Sequence, residues 1–216
     1  MTTRLKLDIV SDVSCPWCII GFLALQQALD KLAPQISADI HWQPFELNPN
    51  MPTQGQDIVE HITEKYGISV EQTEQNRTMI RERGAALDYH FSHNTDGRIY
   101  NTFDAHRLLH AAAESDLQTP LKLALFDLYF KENGDPSNHQ QLLDVVKSIG
   151  LNVDVAKQVL NSNQYENEVR ERQRFYQQHG ISSVPAVIIN DKHLISGGQP
   201  AEVFEQAFKE IAEQQG

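Results

Sequence analysis

The chain predicts an α/β fold whose sheet is assembled from the two ends of the sequence, with an all-helical block inserted between them. Three observations carry this. The first fifty residues read strand, helix, strand; the last forty read strand, strand, helix; everything between has helical periodicity. Strands from both ends must share one sheet, so the helical block is an insertion.

Arg4 to Val10 alternates apolar and polar residues, as a half-buried strand does. Ser11-Asp12-Val13-Ser14 reads as a turn. From Cys18 to Ala33 the apolar residues fall on one broad helical face, and Pro34 stops it. Ala38 to Leu47 reads as a second strand, closed by the loop Asn48-Pro49-Asn50-Met51-Pro52. Helical faces follow at 58–66, 70–86, 103–114, 120–131, 139–149, 153–160 and 165–179. Gly67, Gly134, Asp135-Pro136 and Gly150 punctuate them, and 89–98 is polar and irregular. Val184 to Ile189 is short, apolar and β-branched. Asn190-Asp191-Lys192 turns it back onto His193 to Ser196, Gly197-Gly198-Gln199-Pro200 breaks the chain, and Ala201 to Glu213 forms a last helix. The expected division is 1–52 with 180–216 as one discontinuous domain and 53–179 as the inserted helical domain.

A net charge of −11 argues against nucleic acid and anionic membrane surfaces as partners, because both need a basic patch. No run of about 18 apolar residues exists, so no membrane helix is expected. The Met-Thr-Thr-Arg-Leu-Lys-Leu-Asp start lacks the apolar stretch of a secretory signal, which makes the cytoplasm the expected location. Oligomeric state is not readable.

The chain has only two cysteines, in Cys15-Pro16-Trp17-Cys18. Thiols at this spacing can close a disulfide and reopen it by exchange, and in a reducing compartment such a pair cycles. Cys15 sits where a helix begins. The unpaired N–H groups there favour a thiolate, so an acidic Cys15 and a protonated Cys18 are expected. Three duller readings stay open. A structural staple over so short a loop stabilises by only about 2 kcal/mol. Half a zinc site lacks further cysteines, although nine histidines exist. Two unrelated buried cysteines are also possible.

Other residues carry paired readings. Pro16 suits the first helical turn. Trp17 either contacts a substrate or shields the disulfide. Asp12 and Ser14 read as helix caps, with proton transfer by Asp12 as the alternative. His106 and His110 have a metal-like spacing but no evident third ligand, so no metal site is expected. Glu166 to Arg174 reads as a solvated helix face.

Cys15-Pro16-Trp17-Cys18 after the first strand, Val184-Pro185 opening the late strand, and the ending 195–200 (ISGGQP) together resemble the DsbA-like thioredoxin superfamily. Asn101 to Leu108 is similar to its FrnE-type cytoplasmic branch in particular. The resemblance spans essentially the whole chain. It implies a thioredoxin fold with a large all-helical insertion, and a cis bond before Pro185, whose loop lies against the thiols. It implies a thiol–disulfide oxidoreductase or isomerase with Cys15, Cys18 and Pro185 at the active site. Pro16, Trp17 and Val184 would contact substrate. Asn101 and Thr102 would hydrogen-bond a peptide or glutathione, or else cap the Phe103 helix. No cofactor is required, and glutathione is a possible co-substrate. Partners would be a disulfide-bearing protein or small thiol, with an external thiol pool or reductase for turnover. The sister kappa-class glutathione transferases and 2-hydroxychromene-2-carboxylate isomerases carry serine at the active-site turn. Glutathione-dependent isomerisation or transfer, or non-catalytic chaperone-like binding, are the alternatives.

Overall fold

The structure, a computed structural model, describes residues 2–52, 54–92 and 97–214. The chain opens with β1 (Thr3–Ser11), α1 (Pro16–Leu32) and β2 (Ile36–Pro44). Next come β3 (Gln56–Asp57), α2 (Ile58–Tyr66), α3 (Val70–Ala85) and β4 (Arg98–Ile99). The helices α4 (Phe103–Ala113), α5 (Gln118–Phe130), α6 (His139–Ser148), α7 (Val153–Leu160) and α8 (Glu166–Gln178) complete the middle. It ends with β5 (Ala186–Ile189), β6 (His193–Ser196) and α9 (Ala201–Glu213).

The main sheet has the order β2-β1-β5-β6. β1 pairs parallel with β2 and antiparallel with β5, and β6 returns antiparallel on β5. The two ends of the chain therefore meet at β1. Leu5, Leu7 and Ile9 of β1 point into a core shared with Leu25 and Leu29 of α1 and Phe204 and Phe208 of α9. Val10 faces the other way, against Tyr176 of α8 and Ile181. Asn190 and Asp191 both have positive φ, which gives the β5–β6 hairpin its primed turn. A second core gathers Leu108, Leu121, Leu125, Leu142, Val146 and Val159 of the helical block. Val13, from the turn after β1, is buried in that second core and so anchors the turn to the helices.

The second strand lies a little earlier than its pattern suggests. Its register runs from Thr3↔Ile36 to Ser11↔Pro44, and Pro44 has no N–H to continue the ladder. The β3–β4 ribbon has no sequence pattern to read, at two residues per strand. Gly55 shapes its entry, with φ +66; a Cβ there would lie 2.5 Å from the Ile99 carbonyl. Positions 93–96 of the polar stretch lie outside the described residues. Among the described residues, no helix is long and apolar enough to cross a membrane.

Candidate active site

β1 ends in the turn that sets the site. Asp12 is buried there. Its Oδ2 accepts the Leu47 N–H at 2.7 Å, its Oδ1 accepts the Ser14 N–H at 3.4 Å, and its carbonyl accepts the Cys15 N–H at 3.3 Å. Cys15 occupies the N-cap of α1 with no side-chain cap, and Pro16 holds the first helical turn. Asp12 therefore braces the turn instead of capping the helix, and the Ser14 hydroxyl is buried without a partner among the described residues.

Both cysteines are free thiols. Cys15 is 4% exposed and Cys18 fully buried. Cys15 lines a cavity of about 1100 Å³, together with Ser14, Pro16, Trp17 and Val184; Cys18 lies behind. The Cys15 Sγ is 3.6 Å from the Val184 carbonyl oxygen, so the late loop does lie against the first thiol. The bond before Pro185 is cis. Pro185 itself is buried and lies beneath Val184, with its carbonyl accepting the Gly197 N–H at 2.8 Å. Gly198 packs on the turn between the thiols, where an added Cβ would lie 3.1 Å from the Trp17 carbonyl. The three motifs distant in sequence thus form one surface.

Asn101 and Thr102 are not on it. Asn101 accepts the Phe103 N–H at 2.9 Å, and Thr102 is buried at the N-cap of α4; neither lines the cavity. Of the two roles open to them, the local one matches Asn101's hydrogen bond. Among the described residues, no three His, Cys, Asp or Glu side chains cluster as a metal site.

Three polar groups behind the thiols, the half-buried Gln118 and the buried Lys122 and His106, were not legible as a set. Gln118 opens α5 by clamping the backbone of Trp42 on β2: its Oε1 accepts the Trp42 N–H at 2.8 Å, and its Nε2 donates to the Trp42 carbonyl at 3.1 Å. One turn later, Lys122 enters the core. It is 1% exposed, with its ammonium 5.3 Å from the Trp42 ring centre and 5.0 Å from that of Phe126. Burial pushes its pKa down to about 8, against the thiols and Asp12, which pull it up. His106 Nε2 lies 3.5 Å from Asp12 Oδ1, both buried. Burial pushes the Asp12 carboxyl up, but His106, the Leu47 N–H and Lys122 outweigh it and hold it below the ordinary carboxylate range. The available signal for Lys122 was a lone cation inside the apolar stretch LKLALFDLYF.

This set overturns the expected order of thiol acidity. The Cys18 sulfur, burial and the Asp12 carboxylate together hold the Cys15 thiol well above the ordinary range. Burial also pushes Cys18 up, but the Cys15 thiol, the Lys122 ammonium and the Ser11 hydroxyl outweigh it and bring it down. The two shifts belong to the pair: the sulfurs hydrogen-bond to each other, and each titrates in the other's field. The helix N-terminus was the only field visible in sequence; the contact between the two sulfurs and their burial were not.

A cysteine pair with one sulfur at a cavity wall, the other behind it, and a cis-proline loop against the first defines a thiol–disulfide exchange site of the thioredoxin type. The chain belongs to the DSBA-like thioredoxin domain family, whose sequence model matches residues 6–209. It is similar to a probable DsbA oxidoreductase from Streptomyces coelicolor, at 29% identity and a TM-score of 0.89, covering 98% of this chain and 91% of that one. It shares its fold with a 2-hydroxychromene-2-carboxylate isomerase, at 16% identity and a TM-score of 0.72, covering 97% of each chain. It also shares it with the cytosolic disulfide reductase DsbM from Pseudomonas aeruginosa, solved with GSH, at 14% identity and a TM-score of 0.64, covering 97% and 98%. No curated protein matches the chain.

Proposed function

We propose that the protein is a cytoplasmic, FrnE-type thiol–disulfide oxidoreductase in which Cys15 attacks and Cys18 resolves. The observation that carries this is the position of the two sulfurs: only Cys15 meets the cavity, and Cys18 lies directly behind it.

Exchange begins when the Cys15 thiol gives up its proton to solvent. The Cys15 thiolate attacks one sulfur of a substrate disulfide, forming a mixed disulfide and expelling one substrate thiolate, which takes up a proton from solvent. Cys18 then gives up its proton to solvent, and its thiolate attacks Cys15 Sγ and expels the second substrate thiolate, which is protonated in turn. The substrate gains two electrons, and the enzyme ends with a Cys15–Cys18 disulfide. The reverse sequence oxidises a dithiol, and the two combined isomerise. Trp17 and Val184 contact the substrate at the mouth of the site, Pro16 fixes the helical turn between the thiols, and Pro185 supports the Val184 carbonyl from below. Exchange itself needs no metal, flavin or nucleotide. Glutathione is the proposed co-substrate that, as an external thiol, returns the enzyme to its dithiol; a dedicated reductase would serve the same step.

The test is the asymmetry of single replacements. Cys15→Ser should abolish disulfide reduction. Cys18→Ser should abolish net turnover yet accumulate mixed disulfides on Cys15, visible by mass spectrometry. Trapping on Cys18 in the Cys15 variant, with none in the Cys18 variant, would reverse the roles. Isomerase, transferase or holdase activity that survives loss of both thiols would place the function in a sister family or in binding alone.

A further inference from the structure

The chain as a whole carries 18 Lys and Arg against 29 Asp and Glu. The cavity in front of Cys15 inverts that balance. Among the described residues its lining holds four of the cations, Lys65, Arg77, Arg81 and Arg98, and one carboxylate, Glu46. Glu46 is buried and already engaged by Arg170 from α8, outside the cavity lining, and by the Gln173 amide at 3.1 Å. Arg77 is paired with Glu74 at 2.8 Å. The other three cations have neutral partners among the described residues. Lys65 donates to the Leu47 carbonyl at 2.8 Å and to Asn48 Oδ1 at 2.7 Å. Arg98 donates to the carbonyls of Gln54 at 3.1 Å and Gly55 at 3.0 Å. Arg81 donates to the Thr78 hydroxyl at 3.0 Å.

Cations in a net-negative protein ordinarily find carboxylates. Three that settle for neutral oxygens around one cavity leave a positive potential there, focused by the apolar walls that Ile62, Phe91 and Phe130 supply. The cations come from three separate elements, α2, α3 and β4, so the field converges on the space and is not a by-product of one helix face. At about 1100 Å³ the cavity is the size of a small-molecule site.

We propose that the substrate exchanged at Cys15 is a low-mass disulfide carrying free carboxylates, held by Lys65, Arg81 and Arg98 while its sulfur meets the thiol. This rests on the exchange reading above and names its substrate class. The carboxylates neutralise charges that the fold leaves uncompensated, and the same cations stabilise the thiolate that departs when the substrate S–S bond breaks. A cationic disulfide meets the opposite field.

The experiment uses three disulfides of nearly equal size: dithiodipropionate with two negative charges, bis(2-hydroxyethyl) disulfide with none, and cystamine with two positive charges. The value of kcat/KM for each is divided by its rate with dithiothreitol in solution, which removes intrinsic reactivity. The expected order is anion, neutral, cation. The anion should lead the neutral compound by at least about tenfold at low ionic strength, with the gap closing as salt rises. The double variant Lys65→Gln, Arg98→Gln should shrink that ratio at least about fivefold, with folding checked by its melting curve. Equal normalised rates, or a cation preference, would overturn the proposal. Should no disulfide exchange at all, the exchange reading fails by itself. The charge preference is then decided by NMR titration with redox-inert thioethers: thiodipropionate shifting cavity resonances where thiodiethanol and bis(2-aminoethyl) sulfide do not supports it, and equal shifts overturn it.

Discussion

Replacing Lys122 by Met should make the protein more stable and less reactive at once. An ammonium whose pKa falls from 10.5 to about 8 on burial is charged in the unfolded chain over a range where the folded chain resists the charge. That difference corresponds to about 3 kcal/mol of lost stability. The sign follows from the direction: for a base with a depressed folded value, the penalty is complete below about pH 8, shrinks between 8 and 10.5, and is gone above. Methionine fills the same channel between Trp42 and Phe126 without a charge. It forfeits the attraction of the ammonium to those two rings, about 2 kcal/mol at a desolvated site. A net gain of about 1 kcal/mol at pH 7 remains, or about 2–4 °C in Tm for a chain of this length. The gain should fade as the melt is repeated toward pH 10. The same change removes the cation that favours the Cys18 thiolate, so thiolate absorbance should appear at higher pH and disulfide reduction at pH 7 should slow. A variant that melts lower than wild type at pH 7, or whose thiols titrate unchanged, would refute this account of Lys122.

Two further outcomes follow from the same geometry. Asp12→Asn keeps an oxygen for the Leu47 N–H but removes a charge that opposes the Cys15 thiolate, so alkylation of Cys15 near pH 7 should quicken by about threefold. Because the Asp12 carboxyl is held low, its contribution to stability is present above the ordinary carboxylate value of 3.8 and lost as pH falls through the folded value. Acid unfolding curves of wild type and Asp12→Asn should therefore converge in strong acid and separate above pH 4. Gly84→Ala sits on α3, where helix propensity alone favours alanine by about 1 kcal/mol. Its Cβ, however, would lie 2.4 Å from Phe91 Cε2 and 2.7 Å from the Tyr89 carbonyl, so a net loss of about 1–3 kcal/mol is expected from the thermal melt. An unchanged Tm would show that Phe91 yields freely.

Elements defined by local pattern were legible in the sequence. The alternation of Arg4–Val10 and the apolar face after Cys18 depend on neighbours three or four positions away, and both elements formed close to where the pattern put them. The meeting of both chain ends in one sheet followed from the order of strands alone. Pairing across the chain was less legible. The two-residue strands β3 and β4 have no periodicity to betray them, and only their cross-strand register defines them. Lys122 was read as one more residue of a helix, although its place as the lone cation in an apolar stretch was a local signal. What buries it is Gln118, whose amide takes the place of a neighbouring strand along the edge of β2 and so presses the next turn of α5 into the core. The thiol acidities failed for the same reason: a helix N-terminus can be read from sequence, whereas Lys122 reaches Cys18, and burial closes over Cys15, only through the tertiary fold.

The surroundings that lower the Cys18 thiol also bear on the step after attack in the proposed exchange. Once Cys15 is bound in a mixed disulfide it has no proton to donate, and the Cys15–Cys18 hydrogen bond is gone. Lys122, the Ser11 hydroxyl and the backbone of Asp12 remain around Cys18. They keep the resolving sulfur disposed to ionise at the moment it must attack its neighbour. The surroundings make the sulfur facing substrate less acidic and the one facing inward more acidic. Under the proposed exchange this arrangement should form mixed disulfides sparingly and clear them fast, so mass spectrometry should find them accumulating only when Cys18 or the ammonium behind it is taken away.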